Sequence, residues 1–410
     1  MVVEINSGRL WGSLMQMAEI GKTPGGGVCR LALSDEDRAG RERFIGWCEQ
    51  AGLVVRIDEL GNIFGRRSGT MAEAAPVLTG SHLDTQPLGG RFDGVYGVMA
   101  GLEVVRSLND AKIETQRPID VVVWCNEEGS RFPAGCMGSS VFAGRRDRDA
   151  MLNLRDRDGA SVQGELKRIG YDGLEKCGGA PVAALFEAHI EQGPVLEREG
   201  KTIGVVTGAQ GMRCYRVFVS GVEGHAGTLP MDQRFDAFQG AARMAVALDD
   251  LAHHFKHSAV ITIGVVDVGP GSRSTIPGST TFSIDCRCPD AAGLDQLDAE
   301  IRTICETIAR ARQLQLDIET ISTIPPIKFD AGCIGAVRDA ADRRGVSSRD
   351  MSSGAGHDAC HLSVIAPVGM IFIPCKDGVS HNESEYASPE DVAAGCQILL
   401  DVVSDYADRP

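Results

Sequence analysis

The chain has no apolar run long enough to span a bilayer, and no basic-then-apolar stretch at its N-terminus. Neither a membrane segment nor a secretion signal is therefore expected. It has no excess of positive charge: 41 Lys and Arg face 56 Asp and Glu, a net −15. A nucleic-acid partner would call for a basic face, so none is expected. It has no C-x-x-C pair among its 13 scattered cysteines, and Cys286-Arg287-Cys288 places both sulfurs on one side of a strand, which is not a zinc knuckle. An odd number of unpaired thiols points to buried cysteines in a reducing cytoplasm. Internal repeats and low-complexity tracts are also lacking. What remains is a globular chain of 410 residues, too long for one simple core and read as two domains.

One stretch organises the reading. The short apolar run Pro76-Val77-Leu78-Thr79 predicts a buried strand, and it leads into Ser81-His82-Leu83-Asp84-Thr85 and then Gly89-Gly90-Arg91-Phe92-Asp93-Gly94. A histidine and an aspartate at a strand's carboxyl end stand where α/β sheets hold their sites. The glycine-rich loop lets Asp93 turn back over the first ligand. A second run, Ile119 to Cys125, ends in the carboxylate pair Glu127-Glu128. Between them, Val95, Val98, Met99, Leu102, Val105 and Leu108 recur at helical spacing, predicting a β-α-β crossover in a parallel sheet.

Upstream, Ser34 with Asp37 three residues on predicts a helix start. A strand is expected from Leu53 to Ile57, with a turn at Gly61-Asn62. Gly129 to Gly144 is read as a loop near the site, and 145–170 as helix-prone. Phe186 to Ile190 predicts another short strand, ending in His189, Glu191 and Gln192. Alone, His189 reads as a surface histidine before a helix; beside those neighbours it joins the site. From 210 to 325 the pattern changes. Strands are expected at Cys214 to Val219, Ala259 to Val266 and 280–288, and helices at Phe235 to Leu251 and Leu294 to Ala311. In 280–288, Phe282, Ile284, Cys286 and Cys288 share one face. This segment is read as an α+β domain inserted into an α/β domain formed by 1–209 and 326–410. The chain then gives a helix near Cys333 to Arg344, a strand from Ile365 to Ile373, His381 in the loop beyond, and a closing helix from Pro389.

The collected ligand candidates are His82, Asp93, Glu128, His189 and His381. This N/O set suits Zn²⁺, Mn²⁺, Co²⁺ or Ni²⁺ better than Ca²⁺ or a thiolate-held structural zinc. Five ligands exceed what one catalytic zinc uses, whereas two ions sharing a bridging carboxylate employ them all. Asp93, short and in a tight loop, is the expected bridge. Glu127, beside a ligand but free of the metal, is the expected general base. Asp84, two residues from His82, is expected to orient its imidazole.

The motifs S-H-L-D-T (81–85), G-G-R-F-D-G (89–94), N-E-E-G (126–129), H-I-E-Q-G-P (189–194), G-H-A-G-T (224–228), G-A-G-H-D-A (354–359) and S-H-N-E (380–383) together resemble the N-carbamoyl-L-amino-acid hydrolases. That group includes allantoate amidohydrolases and β-ureidopropionases, within the clan of di-metal aminoacylases and carboxypeptidases. The resemblance spans almost the whole chain. It implies a di-metal catalytic domain with a mostly parallel sheet, interrupted by a smaller lid or dimerisation domain, and a homodimer. It implies hydrolysis of the ureido C–N bond of a small ureido acid, releasing ammonia and carbon dioxide. Alternatives are allantoate as substrate, an N-acyl-amino-acid or dipeptide hydrolase on the same scaffold, and a metal-binding module without turnover. By motif, His225 matches an oxyanion-stabilising histidine, and Arg287 an arginine that grips the substrate carboxylate; an ion pair with Asp285 is the other reading of Arg287. Gln192, His357 and Ser274 are further substrate-contacting candidates. Two segments depart from the family: where P-N-x-x-N-x-x-P-G is common, residues 270–278 carry Gly271 and Ser274 at the Asn positions, with Arg273 between, and His381 is followed by Asn382-Glu383-Ser384-Glu385 where Ser-Pro and then an acidic residue are common.

Overall fold

The computed structural model describes residues 3–255 and 258–409. The chain forms two compact units, Met1–Thr207 with Phe329–Pro410, and Gly208–Lys328.

In the larger unit the apolar runs become strands buried along their whole length: Val77–His82, Ile119–Trp124, Ala184–Ile190 and Val368–Ile373. Continuous apolar character of this kind belongs to strands covered on both faces. The four are parallel and lie in the order Ile119–Trp124, Val77–His82, Ala184–Ile190, Val368–Ile373. Helix Val95–Asp110 makes the crossover between the first two strands in the chain. It lies close on the sheet because Gly97 and Gly101, one turn apart, face Ser81 and Thr79 with no side chain between. The parallel core is flanked by antiparallel strands. On one side the hairpin Val54–Ile57 and Ile63–Arg67 pairs with Ile119–Trp124; on the other, Ile203–Ala209 pairs with Val368–Ile373.

Two of these flanking strands, Ile63–Arg67 and Ile203–Ala209, have no counterpart in the sequence reading. Glycine interrupts both apolar patterns, at Gly65 and at Gly204 and Gly208, and each glycine stands where a neighbouring chain crowds in. The expected loop Gly129 to Gly144 is also corrected. Met137–Phe142 is a helix buried at every residue, entered through Cys136 in the left-handed region. Gly138 lets it seat against the Asn62 side chain and the Cys125 backbone. The segment 145–170 resolves into two short helices, Arg148–Leu152 and Val162–Ile169, capped by Asp147 and Ser161. Ser34 caps helix Asp35–Gln50 by accepting from the Asp37 N–H at 3.2 Å. The Asp37 carboxylate reaches back to the Leu33 N–H rather than that of Ser34, and pairs with buried Arg41 at 2.8 Å.

In the smaller unit, Val266–Gly269, Ser279–Cys288, Gly211–Ser220 and Gln315–Ile324 form an antiparallel sheet in that order, and Val260–Thr262 also pairs with Ser279–Cys288. The predicted alternation holds: Phe282, Ile284, Cys286 and Cys288 are buried, and pack with Tyr215, Val217 and Val219 beneath helices Ala237–His254 and Ala291–Ala311. The single strand expected from Ala259 to Val266 is in fact Val260–Thr262 followed, after a break, by Val266–Gly269. Strand Gln315–Ile324 escaped the sequence reading because much of it is exposed and few of its residues are apolar.

Gly80 lies in the central strand at φ +141°, and a methyl group there would run into the Val122 backbone of the paired strand. Gly80→Ala is expected to cost ~3 kcal/mol of stability or more, since it combines backbone strain with overpacking. Thermal unfolding checks this; an unchanged midpoint would show that the strand pair has room to adjust.

Candidate metal centre

All four parallel strands deliver chemistry at their carboxyl ends. His82 is the last residue of Val77–His82, and His189 the penultimate residue of Ala184–Ile190. Glu127 and Glu128 follow Ile119–Trp124, after Asn126 at φ +53°. Asn126 is held in that left-handed kink by donating to the carbonyls of Phe132 and Ala134, both at 3.1 Å. His381, also left-handed at φ +53°, lies in the loop beyond Val368–Ile373. Such backbone outliers gather at sites where function fixes the chain.

Asp93 stands at the middle. Its Oδ1 is 3.2 Å from His189 Nε2 and 3.8 Å from His82 Nε2, and its Oδ2 is 3.2 Å from His381 Nε2. Glu128 Oε2 is 3.5 Å from His381 Nε2. Two groups of metal-type side chains result, His82 with Asp93 and His189, and Asp93 with Glu128 and His381, with Asp93 common to both. The histidine tautomers suit ligation. Each of His82 and His189 places Nδ1 against a carbonyl oxygen, that of Asp84 at 2.8 Å and of Ile190 at 2.9 Å. A carbonyl only accepts, so Nδ1 carries a proton and Nε2 is the nitrogen turned inward toward Asp93. Gly94 is required beside them: it sits at φ +66°, and a side chain there would collide with the His82 ring.

The electrostatics favour cations. Burial takes His82 down to about 4, keeping its imidazole neutral. Burial also works against the charge on His189, but hydrogen bonding to Asp93 and the charge of Asp93 outweigh it and raise His189 to about 9. His381 rises to about 9 through its hydrogen bond to Asp93. Burial and the charge of Asp93 push Glu128 up to about 8. Glu127 is raised well above the usual carboxylate range by burial and by the neighbouring Asp358 and Glu128. Buried carboxylates in such number call for compensating positive charge. With three imidazoles and two carboxylates as donors, the centre fits a divalent metal ion.

Glu127 lies outside both groups. Its Oε1 accepts from the Cys136 thiol at 3.0 Å, and its Oε2 is 3.5 Å from His82 Nε2. Asp84 differs from expectation. Its backbone carbonyl, not its side chain, holds the His82 ring. The Asp84 carboxylate instead accepts from the backbone N–H groups of Glu127 at 3.2 Å and Glu128 at 3.1 Å. The strand end folds the carboxylate toward the adjacent parallel strand, where two donors await it.

Gln192, at φ +58°, donates to Asp93 Oδ2 at 3.0 Å, the oxygen that also faces His381. His357 is buried, hydrogen-bonded to Ser353 Oγ at 2.9 Å, with its ring edge-on to His189 at 4.7 Å. In the smaller unit, His225 and Ser274 come together: Thr275 pairs with His225, and the Ser274 carbonyl accepts from the Ala226 N–H at 3.0 Å. His225 is exposed, with the Gly227 N–H on its Nδ1. Arg287 is half-buried and bound to Asp285 at 3.0 Å.

Several supporting residues were not anticipated. Glu187 accepts from Ser81 Oγ at 2.7 Å and from the Ala359 N–H at 3.1 Å. Cys136 and Asp358 group with Glu127, and Ser380 and Glu385 flank Asp93. The only signal for Glu385 was its place four residues beyond His381.

The chain matches peptidase family M20/M25/M40 over residues 78–405. It is 44% identical over 404 residues to an N-carbamoyl-L-amino-acid amidohydrolase of Rhizobium meliloti, covering 98% of this chain and 97% of that protein. It is 35% identical over 394 residues to the allantoate amidohydrolase of Escherichia coli, covering 94% and 95%. A crystal structure of an amidase of the hydantoinase/carbamoylase family from Burkholderia multivorans superposes with a TM-score of 0.95 at 51% identity, covering 100% of this chain and 99% of that one. The chain therefore belongs to peptidase family M20/M25/M40, in its hydantoinase/carbamoylase branch.

Proposed function

We propose that this chain is a metal-dependent amidohydrolase that cleaves the ureido C–N bond of N-carbamoyl-L-amino acids. The observation that carries the reading is the division of Asp93 between two ligand groups, with Glu127 held beside them and outside both. The whole-length identity to the Rhizobium meliloti enzyme supports the substrate class.

His82, Asp93 and His189 would hold one divalent ion, and Asp93, Glu128 and His381 a second, with zinc, manganese, cobalt and nickel all matching the donors. When bound, such a pair polarises the ureido carbonyl and lowers the pKa of the attacking water. The remaining steps belong to the chain. Water adds to the ureido carbon as Glu127 takes its proton. Glu127 then passes that proton to the departing nitrogen as the C–N bond breaks. Loss of ammonia leaves an N-carboxy amino acid, which falls apart to carbon dioxide and the amino acid. Desolvation strengthens Glu127 as a base, and the Cys136 thiol fixes one of its oxygens so that the other faces the reaction. Asp84 sets the peptide that carries both Glu127 and Glu128.

Gln192 is assigned to the substrate's polar end beside Asp93, and His357 to a supporting place against His189. Arg287 and His225 take their roles from the family motifs, and Ser274 is assigned to the substrate because it stands where the family commonly has Asn. Arg287 offers a guanidinium fork to the substrate carboxylate, shared with Asp285, and His225 stabilises the oxyanion. A homodimer and a cytoplasmic location complete the reading. Exposed Val266 and Ile321 on edge strands of the smaller unit favour association, and free thiols favour a reducing compartment.

Metal-loaded protein assayed for ammonia against N-carbamoyl-L-amino acids, N-carbamoyl-β-alanine and allantoate, and for free amine against N-acetyl-amino acids, is expected to turn over the first group best. Preference for allantoate would move it to the other activity named among its relatives, and cleavage of acetyl substrates alone would overturn the ureido reading. Glu127→Gln is expected to lower kcat by about 10³-fold or more while metal content stays at the wild-type level; retained activity would remove Glu127 from the mechanism. Asp84→Ala leaves two buried N–H groups unpaired at ~1–3 kcal/mol each, and is expected to lower kcat and metal affinity together. Loss of stability alone, with kcat and metal affinity intact, would reduce Asp84 to a folding role.

A further inference from the structure

The loop that carries His381 also carries two glutamates, and each occupies a slot opened by glycine. Glu383 lies against Thr23 Oγ1, in space that a side chain at Gly25 or Gly27 would fill. Glu385 is fully buried and crosses the position where a Gly90 side chain would stand. Its Oε1 accepts from the backbone N–H groups of Phe92 at 2.9 Å and Asp93 at 3.1 Å. Its Oε2 accepts from Ser380 Oγ at 2.9 Å, and that hydroxyl also lies 3.3 Å from Asp93 Oδ2. Gln192 Nε2 closes the circuit, 3.2 Å from Ser380 Oγ and 3.0 Å from Asp93 Oδ2. One carboxylate thus grips the peptide before the bridge, the peptide of the bridge, and the residue preceding His381.

We propose that Glu385 is the positioning residue for the Asp93 bridge, and that Gly90 is glycine to let it reach. Rotation of the Asp93 peptide would swing one carboxylate oxygen away from its ligand group. Two N–H bonds to one buried carboxyl oxygen oppose that rotation. Because Glu385 shares a loop with His381, the same contact sets the spacing of Asp93 and His381, the pair that closes the group with Glu128. This inference rests on the two-ion reading of the centre.

The test is calorimetric titration of chelator-stripped protein with Zn²⁺, paired with thermal unfolding of the metal-free form. Glu385→Ala is expected to weaken the second ion by about tenfold or more, the usual effect of losing a group that orients a ligand. Glu385→Gln keeps an oxygen for both N–H groups and is expected to stay within about threefold of wild type. Gly90→Ala is expected to match Glu385→Ala, and in the Glu385→Ala background to add about twofold at most, since its clash is with the Glu385 side chain. Wild-type affinity in Glu385→Ala, a Glu385→Gln loss as large as that of Glu385→Ala, or additive effects of Gly90→Ala would each overturn the proposal. If Glu385→Ala does not fold, Glu385→Gln and Gly90→Ala decide. Binding of a single ion by wild type would instead sink the two-ion reading. The unfolding midpoints of the metal-free Gly90 and Glu385 variants would still show whether the two positions are coupled.

Discussion

One short carboxylate faces two ways, and the centre depends on it. Asp93 gives Oδ1 to the two strand-end histidines and Oδ2 to the histidine of a distant loop. That requires four parallel strands to end level, a glycine after the aspartate, and a backbone that does not rotate. It also gathers acids where water is scarce. Asp84, Asp93, Glu187, Asp358 and Glu385 are all nearly inaccessible, with Glu127 and Glu128 among them. The buried arginines nearby are engaged elsewhere: Arg30 on backbone carbonyls, and Arg41 on Asp37 and the Gly61 carbonyl. The positive charge that balances this cluster must therefore arrive with a ligand or a proton.

Several of the surrounding acids act on the backbone. Asp84 accepts from two successive N–H groups, at 127 and 128, and Glu385 from two more, at 92 and 93. Glu191 does the same for Val195 and Leu196, both at 2.8 Å, where the strand bearing His189 passes into the next helix. A carboxylate has acceptor capacity for two consecutive peptides, used through both oxygens at Asp84 and Glu191 and through Oε1 alone at Glu385. These clamps hold the loops at the strand ends together with buried apolar residues such as Leu83 and Phe92. That is why charged residues are buried there at all.

This division explains what the sequence revealed. The ligand types were legible because each follows a buried apolar run, and the residue type and place at a strand end are both local facts. The parallel core was legible for the same reason. The clamps were not: Phe92 and Glu385 are separated by 293 residues, and nothing near Gly90 says what it makes room for. Asp84 was misread because a spacing of two residues from His82 suggested a side-chain contact, whereas the backbone carbonyl took the ring and freed the carboxylate for the next strand. Two of the flanking strands were hidden by glycines whose reason lies in neighbouring segments, and Met137–Phe142 by a Gly- and Ser-rich composition that tertiary packing overrides.

Glu127, the proposed proton acceptor, shows how finely such a setting can act. Glu127 receives its one fixed hydrogen bond from a thiol, a weaker donor than a hydroxyl or an amide. A strong donor there would stabilise the carboxylate and make it a poorer base. Burial and the adjoining carboxylates raise Cys136 well above the ordinary thiol range, so it remains a donor. The Ser139 hydroxyl lies against the Cys136 carbonyl at 3.2 Å. Asp358 adds to the pressure that raises Glu127. The orientation of the base and its appetite for a proton thus have separate causes. The thiol sets its direction while yielding little charge stabilisation, and burial with neighbouring acids sets its strength.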